Sequence, residues 1–186
     1  MSTAAAAEIQ EPATFNRQSV AILVLVSIVQ SMLVMGQSIA TVAFPEIRTA
    51  LHFSQVDLQW VINAYTLSFA GFLLLGGRAG DLQGHRSVLM GGLLLFTAAS
   101  LACGLAQSSL MLEVARGVQG LGAAVISPAA LSILLVTFPE GAGRNRALAA
   151  WGAVAGGGQA VGFILGGVLT QGLGWRWIFS MCPSAS

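Results

Sequence analysis

One arginine stands inside a long apolar run, and its chemistry needs an explanation first. Arg116 lies within residues 112–138, with Glu113 three positions before it and Gln119 three after it. If this run lies in lipid, an unpaired arginine inside it costs at least about 2.5–3.5 kcal/mol. Two interpretations stay open. Glu113 and Arg116 share a helical face and could form an internal ion pair with a structural role only. Alternatively, the arginine faces a water-filled cavity, where it changes the proton affinity of a nearby carboxylate or binds an anionic group.

A second pattern consists of glycines at helical spacing near the end of the chain. Gly158, Gly162 and Gly166 are four residues apart, and Gly167 extends the stripe. Small residues at this spacing let the backbones of two helices approach closely. The stripe predicts either a fixed packing contact or a surface on which helices slide, and the spacing alone does not separate the two.

A third pattern is a charged, glycine-rich segment between two apolar runs, at residues 77–86. Its informative residues are Gly77, Gly80, Asp81, Gly84 and Arg86. We expect a compact turn that makes the flanking helices antiparallel neighbours and keeps its charges at the water interface. Asp81 is either a solvated loop charge or a carboxylate that faces the positive N-terminal end of another helix and acts as a latch.

Enzyme chemistry finds no support in the sequence. His52 and His85 are isolated, and no catalytic triad, phosphate loop or spacing of metal ligands is present. We therefore expect no catalytic activity, no metal and no cofactor. The net charge of +1 gives no basis for binding nucleic acid.

The composition indicates a membrane protein. Hydrophobic residues make up 55% of the chain and charged residues only 8%, whereas a soluble domain has about 25% charged residues. The mean hydropathy is +0.80. We expect an all-α, multi-pass bundle with the lipid bilayer as its main partner. A disordered cytoplasmic tail (1–19) would precede five spans at about 20–44, 57–76, 87–106, 112–138 and 147–170, and the start of a sixth near 175.

Arginines between the apolar runs predict the orientation. With the N-terminus in the cytoplasm, the inner segments contain Arg17, Arg78, Arg86, Arg144 and Arg146. The outer segments contain only Arg48 and Arg176. This distribution follows the positive-inside rule and favours a cytoplasmic N-terminus in the cell membrane.

The same residues resemble a known family. Residues 77–86 resemble the signature loop between helices two and three of the major facilitator superfamily, and residues 112–124 are similar to its helix-four motif. The glycine stripe resembles the helix-five motif of its antiporters. Residues 58–67 and 175–179 are similar to the fourteen-helix drug:proton antiporter branch.

The resemblance implies an incomplete N-terminal half of a proton-driven exporter of small amphipathic compounds, which works by alternating access. It also implies roles for the three patterns. Arg116, with Glu113 and Gln119, would take part in proton coupling, residues 77–86 would form a cytoplasmic gate, and the glycine stripe would lie between the two halves.

The sequence departs from the family pattern at three places. Gly36 stands where this branch usually has an aspartate, so a metabolite exporter or uniporter without proton coupling is the alternative. Phe163 replaces the usual proline after the central glycine of helix five. The chain stops after the start of helix six, and we hypothesise a frameshift after Phe179 that the nucleotide sequence would test. We expect the fragment alone to be inactive, or to bind a partner protein that the sequence does not identify.

Overall fold

The computed structural model describes residues 16–51 and 54–173, and throughout these ranges the chain is helical apart from short connections. The helices are α1 (Arg17–Leu51), α2 (Gln55–Gln83), α3 (His85–Gly104), α4 (Ser109–Thr137) and α5 (Ala142–Leu173). Each contains a segment long and apolar enough to cross a membrane. The predicted all-α membrane bundle is therefore confirmed. The start of a sixth helix near 175 and residues 1–15 of the predicted tail lie outside the described residues.

The first helix is longer than its apolar run. It begins at Arg17, so residues 17–19 are helical rather than part of a tail, and it continues through Pro45 to Leu51. The predicted polar loop from Pro45 is therefore wrong over residues 45–51. A proline keeps a helix-compatible φ and removes one hydrogen bond, and the residues after it include the good helix formers Ala50 and Leu51.

The predicted turn at residues 77–86 is also much shorter in the structure. Helix α2 continues to Gln83, and Gly84 alone separates it from α3. Gly84 has a φ of 88°, a left-handed conformation that only glycine adopts without strain. Gly80 lies within α2, and the His85 ring packs over it, where a Cβ atom would lie 2.6 Å from Nδ1. The charged segment is thus two helix ends that meet at one residue.

Helix α4 is the centre of the bundle. Both α2 and α3 pack more extensively on α4 than on each other, so the expected α2–α3 pairing is the weaker contact. Helices α1 and α5 form a second pair, and α1 also contacts α4. The close approach of α2 to α4 depends on Gly120, since a Cβ atom there would collide with the carbonyl oxygen of Tyr65. As a result of this packing, one long face of α4 is buried inside the bundle, and this face includes Arg116.

Candidate functional site

Arg116 is buried in the middle of the bundle. Its exposed fraction is 1%, and it is the largest fully buried side chain among the described residues. Nη1 donates a hydrogen bond to Oε1 of Gln119 at 2.9 Å, and Nη2 donates to Oε1 of Gln37 on α1. Nε is buried without a hydrogen-bond partner. The guanidinium group therefore joins α1 to α4 through two neutral amides.

An aromatic ring completes the surroundings of the guanidinium group. Its central carbon lies 4.6 Å from the centroid of the Tyr65 ring on α2, which is cation–π distance. Tyr65 in turn stacks on Phe69, with the ring centroids 6.2 Å apart and the planes nearly parallel. Three helices thus contribute to the arginine site. We refer to Arg116, Gln119, Gln37 and Tyr65 together as the arginine cluster.

The ion pair that the sequence left open is not formed. Among the carboxylates whose side chains the structure describes, none lies within ion-pair distance of Arg116. Glu113 is only partly buried, while the guanidinium group extends to amides on α4 and α1. The amides and the ring solvate the positive charge without neutralising it, so the cluster carries a net positive charge inside the protein.

A polar cavity adjoins the arginine cluster. It has a volume of about 440 Å³ and lies between α1, α2, α4 and α5. Gln37 and Tyr65 belong both to its wall and to the cluster. The other lining residues are Gln30, Leu33, Val34, Ser38, Thr41, Thr66, Phe69, Ser127, Gln159 and Phe163. The described residues of the wall therefore contribute many hydrogen-bonding groups and no charged side chain.

The charged side chains at the α2–α3 junction are exposed to solvent. The carboxylate of Asp81 is 74% exposed and lies 3.9 Å from Nε2 of His85, one turn further on. Arg86 is exposed as well, and no ion pair of Arg86 is found in the part of the chain described. Apart from this contact with His85, the first residue of α3, no interaction of the Asp81 carboxylate with a helix N-terminus is found among these residues, so the role of this segment as a gate stays a prediction.

The glycine stripe packs partly inside this bundle. A Cβ atom at Gly162 would lie 2.9 Å from Cβ of Ser38 on α1, and one at Gly158 would lie 3.6 Å from Cα of Ser31. Gly166 is buried, whereas a Cβ atom at Gly167 would have open space around it. The first half of the stripe therefore brings α5 close to α1, as the packing interpretation expects.

Sequence reasoning missed Gln37 and the cavity that it lines. A signal was present, since Gln30 and Gln37 are seven residues apart in an apolar helix and thus lie on one face. Thr41 follows one turn later on that face. A polar stripe on a membrane helix indicates an interior or cavity-facing side.

Apolar helices of spanning length around a buried cation and a polar cavity define the class of this protein, a multi-pass membrane protein. The family model described as Major Facilitator Superfamily matches residues 26–185. The chain belongs to the major facilitator superfamily, as the resemblance of its motifs implied.

Similar proteins are exporters and resistance proteins of bacteria. The chain is 50% identical over 154 residues to the cephamycin export protein CmcT of Amycolatopsis lactamdurans, covering 83% of this chain and 32% of that protein. It is 43% identical to the puromycin resistance protein pur8 of Streptomyces alboniger, covering 83% and 31%. The chain thus spans about a third of the length of these relatives.

A solved structure shows the same fold. It is a bacterial homologue of the human lysosomal transporter Spinster in an inward-facing, unoccupied conformation, which superposes with a TM-score of 0.77 at 20% sequence identity. The match covers 91% of this chain and 41% of that structure. The described helices therefore have the arrangement of part of a major facilitator fold.

Proposed function

We propose that this chain is the N-terminal part of an exporter that moves small amphipathic compounds out of the cell in exchange for protons. The observation that carries the proposal is the arginine cluster, a buried unneutralised charge that shares two residues with a polar cavity. Ionisable groups inside membranes are costly and are retained at ion and substrate pathways. The export named for the similar proteins supports the direction of transport.

The cluster can couple movement of helices to proton binding. Arg116 bonds to Gln37 on α1 and to Gln119 on its own helix, so a shift of α1 against α4 must exchange the partner on α1. Its Nε atom, which has no partner in this conformation, offers a place for another acceptor. A carboxylate that loses its proton would be held there, and protonation would release it, which gives alternating access a chemical trigger.

Export without proton coupling is the alternative, and two observations favour it. Gly36 lies where an acid is usual in the drug:proton branch, and the residues lining the cavity include no carboxylate. In that case the cluster binds a substrate group directly, and a gradient of the substrate itself drives the transport.

The roles of the charged segment and of the glycine stripe depend on where these residues lie in the membrane. We propose that the protein lies in the cell membrane with its N-terminus in the cytoplasm, which puts Asp81 and Arg86 at a cytoplasmic gate. The open space at Gly167 suits contact with the second half of a complete transporter. Transporters of this kind bind substrate between their repeats near the midplane, so these residues alone would not transport. Binding to another membrane protein would then be their remaining activity.

A chimera tests the proposal. Residues 16–173 would replace the corresponding part of CmcT, and export of cephamycin would be measured in everted membrane vesicles with and without a pH gradient. We expect export that depends on the gradient and that falls to the level of empty vesicles in Arg116→Ala. The matched control is Arg146→Ala, an exposed arginine of α5, which should export normally.

The outcomes separate the alternatives. Export that continues after the pH gradient is collapsed supports the uncoupled exporter. A chimera that inserts in the membrane but exports nothing contradicts a transport role for these residues, and normal export by Arg116→Ala removes the arginine from the mechanism.

A further inference from the structure

The cavity beside the arginine cluster has an unusual charge balance for a site that would take cationic compounds. The twelve described residues that line it are uncharged at neutral pH. The guanidinium group of Arg116 lies directly behind two of them, Gln37 and Tyr65. Because its partners are neutral, its charge acts on the cavity through a medium of low dielectric constant. The site therefore repels a cation and attracts an anion.

The hydrogen-bonding groups of the wall define the ligand further. Oε1 of Gln37 accepts from Arg116, and the amide N–H groups of the same side chain are donors that suit an acceptor such as a carboxylate. Oε1 of Gln30, also in the wall, is buried and has no hydrogen-bond partner. A buried carbonyl oxygen of this kind is stabilised by a donor. A ligand with both an anionic group and an N–H or O–H group satisfies the two amides.

The rest of the wall suits an aromatic or other flat apolar body. Tyr65 and Phe69 present two nearly parallel stacked rings, and Phe163 of α5 also lines the cavity. A volume of about 440 Å³ falls within the range of about 300–1,000 Å³ that is usual for small-molecule pockets.

We propose that this cavity binds amphipathic organic anions that carry a hydrogen-bond donor, and that it discriminates against lipophilic cations. The proposal rests on the proposed function, since it names the substrate class of the same exporter. Gln37 would contact the anionic group, Gln30 the donor, and the aromatic residues the apolar body.

A series of three ligands with one ring system tests the charge preference. N-acetyltryptophan is an anion with an amide N–H, N-acetyltryptophanamide is neutral, and tryptamine, an alkylammonium ion at neutral pH, is a cation. Equilibrium dialysis would measure their binding to the 186-residue chain in nanodiscs of zwitterionic phosphatidylcholine, so that the lipid adds no net charge. We expect the anion to bind at least about tenfold more tightly than the cation, with the neutral ligand between them.

A pair of variants then tests whether the preference for the anion arises in this cavity. Gln30→Glu places a negative charge in the wall and should abolish the preference for the anion, while Gln59→Glu adds the same charge at an exposed position of α2 and should leave the order unchanged. A cation that binds as tightly as the anion, no binding of any of the three ligands, or the same order in Gln30→Glu would overturn the proposal. If the anion binds and the chimera with CmcT exports nothing, the proposed function fails and the assignment of ligand class stands.

Discussion

At the scale of single residues, the buried charge of Arg116 contacts side chains of α1, α2 and α4. The sequence predicted that an arginine in an apolar run needs partners, and this followed from the cost of placing the charge in lipid. It did not predict which partners, since Glu113 was the near candidate by helical spacing. In the structure Arg116 donates a hydrogen bond to Gln37, which lies 79 positions away in the sequence. Local spacing rules cannot find a contact that only the packing of α1 on α4 creates.

Removing one amide from the cluster should destabilise the protein. Gln119→Leu conserves the approximate volume of the side chain but leaves Nη1 of Arg116 buried without an acceptor. An unsatisfied buried donor costs about 1–3 kcal/mol, and more when it is charged. We expect a clearly lower free energy of unfolding for the variant in mixed micelles titrated with dodecyl sulfate.

Gln59→Leu serves as the control, because Gln59 is exposed on α2 and its loss should change the free energy little. Equal stabilities of the Gln119→Leu variant and the unsubstituted chain would show that the hydrogen bond to Gln119 contributes nothing to folding.

At the scale of helices, hydropathy located all five spans but not their ends. The run of apolar residues ends near position 44, yet α1 continues to Leu51, because a proline followed by helix formers does not have to end a helix. The glycines at 77 and 80 indicated a loop, yet both lie within α2. Glycine marks a turn in water-exposed segments, but in a packed helix it also marks a place where another group comes close.

The contact of α2 with α4 gives a prediction at this scale. In Gly120→Ala the new methyl group would collide with the backbone of Tyr65, and because that atom is backbone the helices must separate. Overpacking of this kind costs about 1–3 kcal/mol. We expect a lower melting temperature in detergent, followed by the fluorescence of the tryptophans.

The matched control is Gly117→Ala, one turn earlier on α4. Its methyl group would lie 3.5 Å from Oγ of Ser68, an ordinary van der Waals distance, and the change from glycine to alanine favours a helix. A melting temperature that falls equally in both variants would contradict the close approach of α2 and α4 at Gly120.

At the scale of the whole molecule, the pairing of the helices was not available from the sequence. A helix in lipid is apolar on nearly every face, so hydropathy does not tell which face meets a neighbour. The central position of α4 depends instead on its small residues, such as Ala123 and Ala124, which are completely buried. The family, by contrast, was recognisable from short motifs, since these combine charges and glycines at fixed spacing, and the match over residues 26–185 confirms it.

We infer that each of the five described helices crosses the membrane and that the arginine-rich helix ends lie in the cytoplasm. Single cysteines at two exposed positions test this most directly: Asp81→Cys in the last turn of α2 and Gln107→Cys between α3 and α4. The background variant is Cys182→Ser, in which the remaining Cys103 is fully buried and should not react. Cells would be treated with a membrane-impermeant maleimide before and after permeabilisation.

We predict that intact cells label only Gln107→Cys, and that permeabilised cells label both variants, because α3 alone separates the two positions. Labelling of Asp81→Cys in intact cells would contradict the orientation. Labelling of both variants from the same side would contradict the spanning of the membrane by α3, and with it the bundle on which the cavity and the arginine cluster depend.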